Sequence, residues 1–579
     1  MRARARVALC SLILAAVLVT RLPLAPDQLF SADEVNFAWA VGKLDVRLSQ
    51  PQPPGDPLYV LQLRLLELLR FKNPRSAQLA LAVAGSAAAL CLLWGFGNRF
   101  FGGHTGLWAA LLLLLHPAFW YAGITSAVRV QLAVVSVAVA WACYRAWQGE
   151  RKWVYGSALI LGLGAGIRPE LGAVLWPLWA MAAWRGCRSW RAWAGAFSLY
   201  VAVVLGWLLP LAASSGGPGA YVEACWKYLK DQAALTSPVF GAPDRLTQIT
   251  LCRFVAWTFV GILGWTLPLA LIVGRRGGRR ISKGQWAFLA LWLLPAIAFA
   301  IAVHVADAGQ TLAIVPGVCL LGAHLLSRAG EEIERRPSTW HGLVWLMTMA
   351  GVALSVMGPA RTLWFTPTLA LVVGWLMRYG TDEALRPSPR AQATTFLLAP
   401  AIFLHALVFF SPGWYYKGSA SRWDTLLEDF YSGLAFMSLE QVRSTTARDD
   451  HALRAIGELS REAGRPVVIL WHRGLACWRK TTFYHPELPV VVLDRKMHTG
   501  AAIATVRRGN RQERIIEGQP PLVIRVPPGA RLIWLLNPRT EFPALVREQF
   551  PLLEAPGAWY SDLPEGPGAR RVGDYLLVW

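Results

Sequence analysis

The chain has 579 residues, of which 55% are hydrophobic and only 16% charged, with a mean hydropathy of +0.38. That balance excludes an ordinary water-soluble enzyme and a disordered or fibrous chain, and defines an integral membrane protein. The 57 Lys and Arg against 35 Asp and Glu leave a formal charge of +22, so the placement of the basic residues decides what they mean.

The opening MRARARVALCSLILAAVLVTRLPLA has the basic start and apolar run of a signal peptide but no small-x-small cleavage site, so it reads as a retained first span. Further runs long enough for a hydrocarbon core of about 30 Å fall near 77–97, 105–122, 127–147, 153–167, 171–185, 192–213, 251–274, 285–304, 309–327, 341–358, 362–378 and 393–411. The expected fold is therefore a polytopic all-α membrane protein of about thirteen transmembrane helices. Alternate connections carry the Lys and Arg excess: Arg2, Arg4 and Arg6, then Arg151 and Lys152, the 185–191 arginines, the Arg275–Lys283 cluster, Arg335 and Arg336, and Arg378 to Arg390. Those connections are cytoplasmic by the positive-inside rule, which places the N-terminus inside and makes the basic charge a topology signal with no nucleic-acid partner implied. The cysteines lie mostly in apolar runs without a CxxC spacing; only Cys225 and Cys252 stand where a pair is conceivable, with two buried thiols as the alternative.

Three pieces then face outward: the loop 26–76, the loop 214–250 and everything after Pro412. This divides the chain into a membrane domain, 1–412, and an extracytoplasmic domain, 413–579. In the latter, β-rich runs at 466–471, 489–493 and 531–536 alternate with a helical pattern over Asp449–Gly464, so the C-terminal piece is expected to be a small α/β domain. No GxGxxG, GxxxxGK[ST] or HExxH occurs, so nucleotide hydrolysis and zinc proteolysis lack their usual apparatus.

In the first loop, Ser31-Ala32-Asp33-Glu34-Val35-Asn36 places two adjacent acids at the start of a short helix. Ser31 and Glu34 make an S-x-x-E capping box, so helix structure alone can account for the acids. A stiff strap follows, Gln50-Pro51-Gln52-Pro53-Pro54-Gly55-Asp56-Pro57, and leads into a helix over Leu58–Leu69.

At these residues the chain resembles the GT-C superfamily of membrane glycosyltransferases, especially bacterial relatives of the protein O-mannosyltransferase and lipid A aminoarabinose transferase group. The stretch from Asp33-Glu34-Val35-Asn36-Phe37-Ala38 through Pro53-Pro54-Gly55-Asp56-Pro57-Leu58-Tyr59 is similar to a D-x-x-N-F-A and H-x-P-P-G-Y-P-L-Y pattern of one subgroup. Gln52 stands in place of the His and Asp56 in place of the first Tyr. The resemblance implies a polyprenyl-phosphate sugar as donor, an acceptor hydroxyl on a lipid, glycan or protein, and attack at the outer face with inversion. It further implies Asp33 as general base, with Glu34 orienting it or the acceptor. Superfamily members often carry a second outer-loop acid. Ala122–Val128 has none here, so no cofactor is assigned while room is left for a divalent metal.

Ionisable residues in membrane helices cost about 2.5–3.5 kcal/mol each at the bilayer centre, so their placement requires a reason. Arg129, Arg168, Glu170, His304, Asp307 and Gln310 gather on the outer side, where Arg168 is the foremost candidate for the leaving phosphate and His304 and Gln310 are secondary. A local Arg168–Glu170 ion pair and a helix-end His304 are the structural alternatives. In the loop 214–250, Tyr221, Val222, Cys225, Trp226 and Leu229 fall at helical spacing, which lays the segment in the membrane interface; Lys227 and Arg245 are candidates for an anionic lipid headgroup. A transporter or flippase of lipid-linked glycans is the competing reading, though no matching broken helices appear in two halves. The subgroup resemblance suggests a bacterial inner membrane with the C-terminal domain in the periplasm.

Overall fold

The computed structural model describes residues 3–187, 189–260, 281–335, 405–406, 408–410, 422–473, 477–496 and 499–579. They form two compact units: Met1–Ala25, Asp45–Arg47 and Pro53–Gln441 in the first, and Pro26–Leu44, Leu48–Gln52 and Val442–Trp579 in the second. The first outer loop is thus shared, its helix and the start of its strap belonging with the C-terminal residues.

In the first unit the helices follow the apolar runs: α1 (Ala3–Arg21), α4 (Pro74–Phe100), α5 (Thr105–Leu115), α6 (Pro117–Thr125), α7 (Ala127–Trp147), α8 (Lys152–Ile167), α9 (Pro169–Val174), α10 (Trp176–Cys187), α11 (Trp190–Ser214), α14 (Lys283–Ala302) and α15 (Val315–Arg335), with the loop helices α3 (Pro57–Leu68), α12 (Pro218–Thr236) and α13 (Asp244–Phe259) between them. Among the described residues, Arg6–Leu24, Pro74–Phe100, Ala127–Trp147, Trp190–Ser214 and Lys283–Ala302 are each long and apolar enough to cross a membrane. The expected span 105–122 is bent by 58° between α5 and α6, making a sixth if counted whole. Pro117 opens α6, and a proline pushes the residue before it out of helical geometry.

Two other expected spans are interrupted. The stretch 171–185 is α9 and α10, and 309–327 begins as a 3-10 turn at Ala308–Ala313 before α15. The expected spans 341–358 and 362–378, most of 393–411 and the second half of 251–274 lie outside the described residues. Cys225 and Cys252 are free thiols, so the conceivable pair is not formed.

Helix α7 is the inner element of this unit, buried along most of its length and packed by α4, α8 and α10. Close approach relies on small residues. A Cβ on Gly106 of α5 would lie 2.0 Å from the Trp94 carbonyl of α4, and one on Gly97 would lie 2.6 Å from the Gly106 Cα. Polar links join the packed helices: Trp292 Nε1 donates to Ser136 Oγ at 2.9 Å, and Ser136 Oγ donates to the Ala313 carbonyl at 2.6 Å.

The second unit is built on a seven-stranded sheet in the order β4-β3-β2-β1-β6-β8-β7. Its strands are β1 (Val467–His472), β2 (Val490–Arg495), β3 (Ala502–Arg508), β4 (Arg511–Glu517), β6 (Arg531–Leu536), β7 (Leu553–Ala555) and β8 (Ala558–Asp562). A three-stranded sheet of β5 (Leu522–Arg525), β10 (Tyr575–Val578) and β9 (Ala569–Val572) packs beside it. β1 pairs in parallel with both β2 and β6, and its first four residues are buried on both faces, which explains the unbroken apolar run in the sequence. One face is covered by α17 (Leu439–Glu462), whose Ala452, Ala455, Ile456 and Leu459 recur at helical spacing against Ile469, Val490 and Ile533. The other face holds Trp534, Phe542 and Phe550, with α19 (Phe542–Gln549) supplying the cover. Between β1 and β2 the chain passes through α18 (Trp478–Tyr484). The α/β expectation for the C-terminal residues is met.

Helix α2 (Ala32–Gly42) packs on α18. The Trp39 and Phe483 rings lie 6.1 Å apart, the Leu29 amide donates to Tyr484 Oη at 3.2 Å, and the Lys480 ammonium sits 5.7 Å from the Phe30 ring. Lys480 is itself buried and paired with Asp449 at 2.5 Å.

Candidate active site

In the first unit the site grows from the end of the proline strap. Gly55 turns the chain at a φ of +86°, where a Cβ would meet Val46 Cγ1 at 2.9 Å, so a side chain fits neither the backbone nor the space. Tyr221 Oη of α12 donates to the Pro54 carbonyl at 2.8 Å, which gives the amphipathic loop helix a definite task. Asp56 then enters just before α3, only 1% exposed.

Arg168 reaches it from the break between α8 and α9. Pro169 forces that break and leaves Arg168 extended, at φ −148° and ψ 108°. The guanidinium lies 3.5 Å from Asp56 Oδ2 through Nη1, and it holds Glu170 Oε1 through Nη2 at 2.5 Å and Nε at 2.7 Å. The expected local Arg168–Glu170 pair is present, extended by the buried Asp56 into an acid–arginine–acid cluster in which Glu170 is part-exposed. Beside it lies a cavity of about 440 Å³ between α8, α9, α10 and α11, lined by Pro169, Gly172, Trp176, Tyr200 and Trp207 among others.

The other first-unit candidates have local partners. Gln310 caps the turn that follows Asp307, its Oε1 accepting from the Ala306 amide at 2.7 Å. A Cβ on Gly309 would fall 2.6 Å from Arg129 Cβ, so the turn is glycine where α7 passes. His304 Nδ1 lies 2.8 Å from Thr236 Oγ1, joining the end of α14 to α12. Arg245 grips Asp429 of α16 (Arg422–Phe436), with Nη2 donating to Oδ1 at 2.8 Å, and so serves an ion pair where the sequence suggested a lipid headgroup. Lys227 is exposed on α12, beside Trp226 at 57% exposure.

In the second unit, Ser31 accepts from the Glu34 amide at 3.3 Å while the Glu34 carboxylate accepts from the Phe30 and Ser31 amides, so the capping box is complete. Glu34 is buried and committed to the cap; Asp33 stands outside the box and is partly exposed. The Asn36 side chain, one turn along the same face, lies 3.0 Å from Gln52 Oε1. With its amide turned to satisfy its neighbours, its oxygen accepts from Arg479 Nη1 at 3.0 Å and its nitrogen donates to the Ser49 carbonyl at 3.2 Å. Gln52 is thus a buried partner of α2. Among the described residues, no group of three or more His, Cys, Asp or Glu is arranged to hold a metal ion.

Residues 52–213, the stretch holding the strap end and the Asp56–Arg168–Glu170 cluster, match the family model of dolichyl-phosphate-mannose-protein mannosyltransferase. The matched stretch is less than a third of the chain. Over nearly its full length the chain is similar to two crystal structures of ArnT from Cupriavidus metallidurans. The one bound to undecaprenyl phosphate is 14% identical, with 97% of this chain and 98% of that chain covered at a TM-score of 0.51. The apo state is also 14% identical, with 98% and 100% covered at a TM-score of 0.52. No curated protein matches the chain.

Proposed function

We propose that the chain transfers a sugar from a polyprenyl-phosphate carrier to an acceptor hydroxyl on the extracytoplasmic side of a bacterial inner membrane. The observation that carries this reading is the Asp56–Arg168–Glu170 cluster within the family-matched segment. The two carboxylates fix the Arg168 guanidinium in place, and its remaining N–H groups are the donors we assign to the phosphate. The similarity to an ArnT bound to undecaprenyl phosphate supports the donor class. The adjacent apolar cavity offers a bed for part of an isoprenoid chain.

In the proposed reaction Asp33 withdraws the proton from the acceptor hydroxyl as that oxygen attacks the anomeric carbon. The bond from that carbon to the phosphate oxygen breaks, and the electron pair leaves with the polyprenyl phosphate. A single displacement inverts the anomeric configuration. Glu34 supports Asp33 only by fixing the start of α2, while His304 and Gln310 contribute by holding helix ends.

The test uses the full chain in nanodiscs with a panel of radiolabelled polyprenyl-phosphate sugars and a membrane lipid extract, with and without EDTA to read any divalent-metal requirement. Asp33→Asn should fold normally and lose about 10²–10⁴-fold in turnover. Full activity in the folded variant would remove Asp33 from the chemistry. Movement of lipid-linked glycan across vesicles without donor cleavage would favour the transporter reading.

A further inference from the structure

The second unit contains a concentration of positive charge that the proposed reaction does not use. Trp478, at the start of α18, has two guanidiniums over its ring: the Arg507 carbon lies 4.2 Å from its centroid and the Arg479 carbon 5.1 Å. Both arginines are half-buried. Their polar contacts are to neutral amides, with Arg507 Nη2 donating to Gln512 at 2.9 Å and Arg479 Nη1 to Asn36 at 3.0 Å. Neither forms an ion pair with an acid among the described residues. The nearby acids are engaged by other cations: Glu513 by Arg508 at 3.3 Å, Glu517 by Lys496 at 2.6 Å and Asp449 by Lys480 at 2.5 Å.

Two like charges sharing one indole without a carboxylate are costly to hold unless a counter-ion arrives. Burial, and secondarily Arg479, pushes the Arg507 guanidinium down to about 10, so it remains charged at neutral pH. Around them stand neutral hydrogen-bonding groups from the loop. Asn36 and Gln52 are within hydrogen-bond distance of each other, and Gln50 donates through Nε2 to the Asn510 carbonyl at the tip of the β3–β4 hairpin at 3.2 Å. Gln50 is 1% exposed, and its Oε1 is buried without a hydrogen-bond partner among the described residues. Two planar donors, an aromatic face and several amides suit a phosphate attached to a polar headgroup better than a bare inorganic ion.

We infer that Arg479, Arg507 and Trp478, with Asn36 and Gln52 of the first loop, form a second anion subsite that takes a phosphate group of a lipid-linked substrate. The inference rests on the proposed transferase reading for its substrate class, and it gives the C-terminal residues a direct part in recognition. Asn36 shares a helix face with Asp33 one turn earlier, so an anchored phosphate lies close along the chain to the proposed base. Because the proposed reaction assigns the carrier's one phosphate to Arg168, the subsite takes the phosphate of a phosphorylated acceptor lipid.

The experiment measures hydrogen exchange and equilibrium binding on the full chain in phosphatidylcholine nanodiscs, using farnesyl phosphate, inorganic phosphate and added phosphatidic acid as probes. Farnesol and unmodified nanodiscs are the phosphate-free controls. Peptides covering 477–484 and 505–512 should exchange more slowly with a phosphate probe and not with farnesol. Arg479→Gln and Arg507→Gln should each weaken binding roughly tenfold or more, with Arg507→Lys, which keeps the charge but not the planar fork, retaining only part of it. Protection by phosphatidic acid identifies an acceptor-type lipid, protection by inorganic phosphate as well shows that the oxyanion suffices, and protection confined to farnesyl phosphate would overturn the acceptor assignment. Absence of protection by all three probes, or wild-type affinity in the folded Arg479→Gln/Arg507→Gln double variant, overturns the inference. Because exchange reads binding without turnover, Asp33→Asn should be protected like the wild type. Failure of the transferase reading would therefore appear as activity surviving in that variant, independently of the footprint.

Discussion

At the scale of single residues, the Arg168 cluster joins stability to chemistry, and substitutions can separate the two. Arg168→Gln strips Asp56 and Glu170 of their shared cation, and breaking a buried pair costs about 3–5 kcal/mol, so a clear fall in Tm is expected. Neutralising all three, with Asp56→Asn and Glu170→Gln added, should recover most of that loss. Turnover should stay low in the triple variant, because the phosphate has lost its guanidinium; recovery of turnover with Tm would make the arginine purely structural. Glu34→Ala should cost about 0.5–2 kcal/mol as a lost cap and leave substantial activity, unlike Asp33→Asn, when both are compared by melting and donor turnover. His472 stacks on Phe542 with ring centroids 3.9 Å apart. Burial, then Arg473 and Arg495 against Asp494, pushes its imidazole down to about 4. The unfolded chain therefore binds the proton first, and the stability gained by keeping this ring neutral is complete above about pH 6.5 and declines toward pH 4. His472→Phe should flatten that decline in a series of Tm measurements against pH. Asp33, Glu34, Arg168 and Glu170 were legible in the sequence because acids and arginines beside apolar runs are conspicuous. Asp56 was visible only as a departure from the subgroup pattern, since its partner is distant in the chain. The ion pair of Arg245 was hidden for the same reason: its partner, Asp429, is remote in the chain.

At the scale of elements, hydropathy located the helices well where one apolar run makes one helix, as in α7 and α11. It failed where a proline or a turn divides a run, because composition averages over the break at His116-Pro117, at Leu175 and at Ile314. The grip of α18 on α2 has no local signature at all. It depends on Lys480, buried against Asp449 and beneath Phe30, and on the aromatic contact between Trp39 and Phe483. Lys480→Met leaves the buried Asp449 with only the more exposed Arg448, 3.6 Å away, and should destabilise the second unit by up to about 3–5 kcal/mol. Hydrogen exchange in peptides spanning 27–44 should quicken while α4 and α7 stay protected; unchanged exchange in 27–44 would show that α2 is held without the pair.

At the scale of the whole molecule, the sequence exposed a membrane domain and an α/β domain, and the composition boundary near Pro412 falls among residues outside the described set. What it did not show is that the C-terminal unit is discontinuous, taking Pro26–Leu44 and Leu48–Gln52 from the first loop. A chain cut after Gln441 should retain helical membrane segments by circular dichroism but lose protection of α2 and all donor turnover; turnover persisting in that truncation would show that α2 needs no C-terminal support. The discontinuity also imposes an order on biosynthesis. Residues 26–52 leave the ribosome long before their partners, and everything from Pro53 to Gln441 must be made before Val442 follows. Closing a loop of that length adds only slowly to the entropic cost, so the late joining is thermodynamically accessible. The helix that carries the proposed base therefore waits, without its cover, until the residues from Val442 onward have been made. Under the proposed reading, a chain halted before that point could not consume carrier lipid.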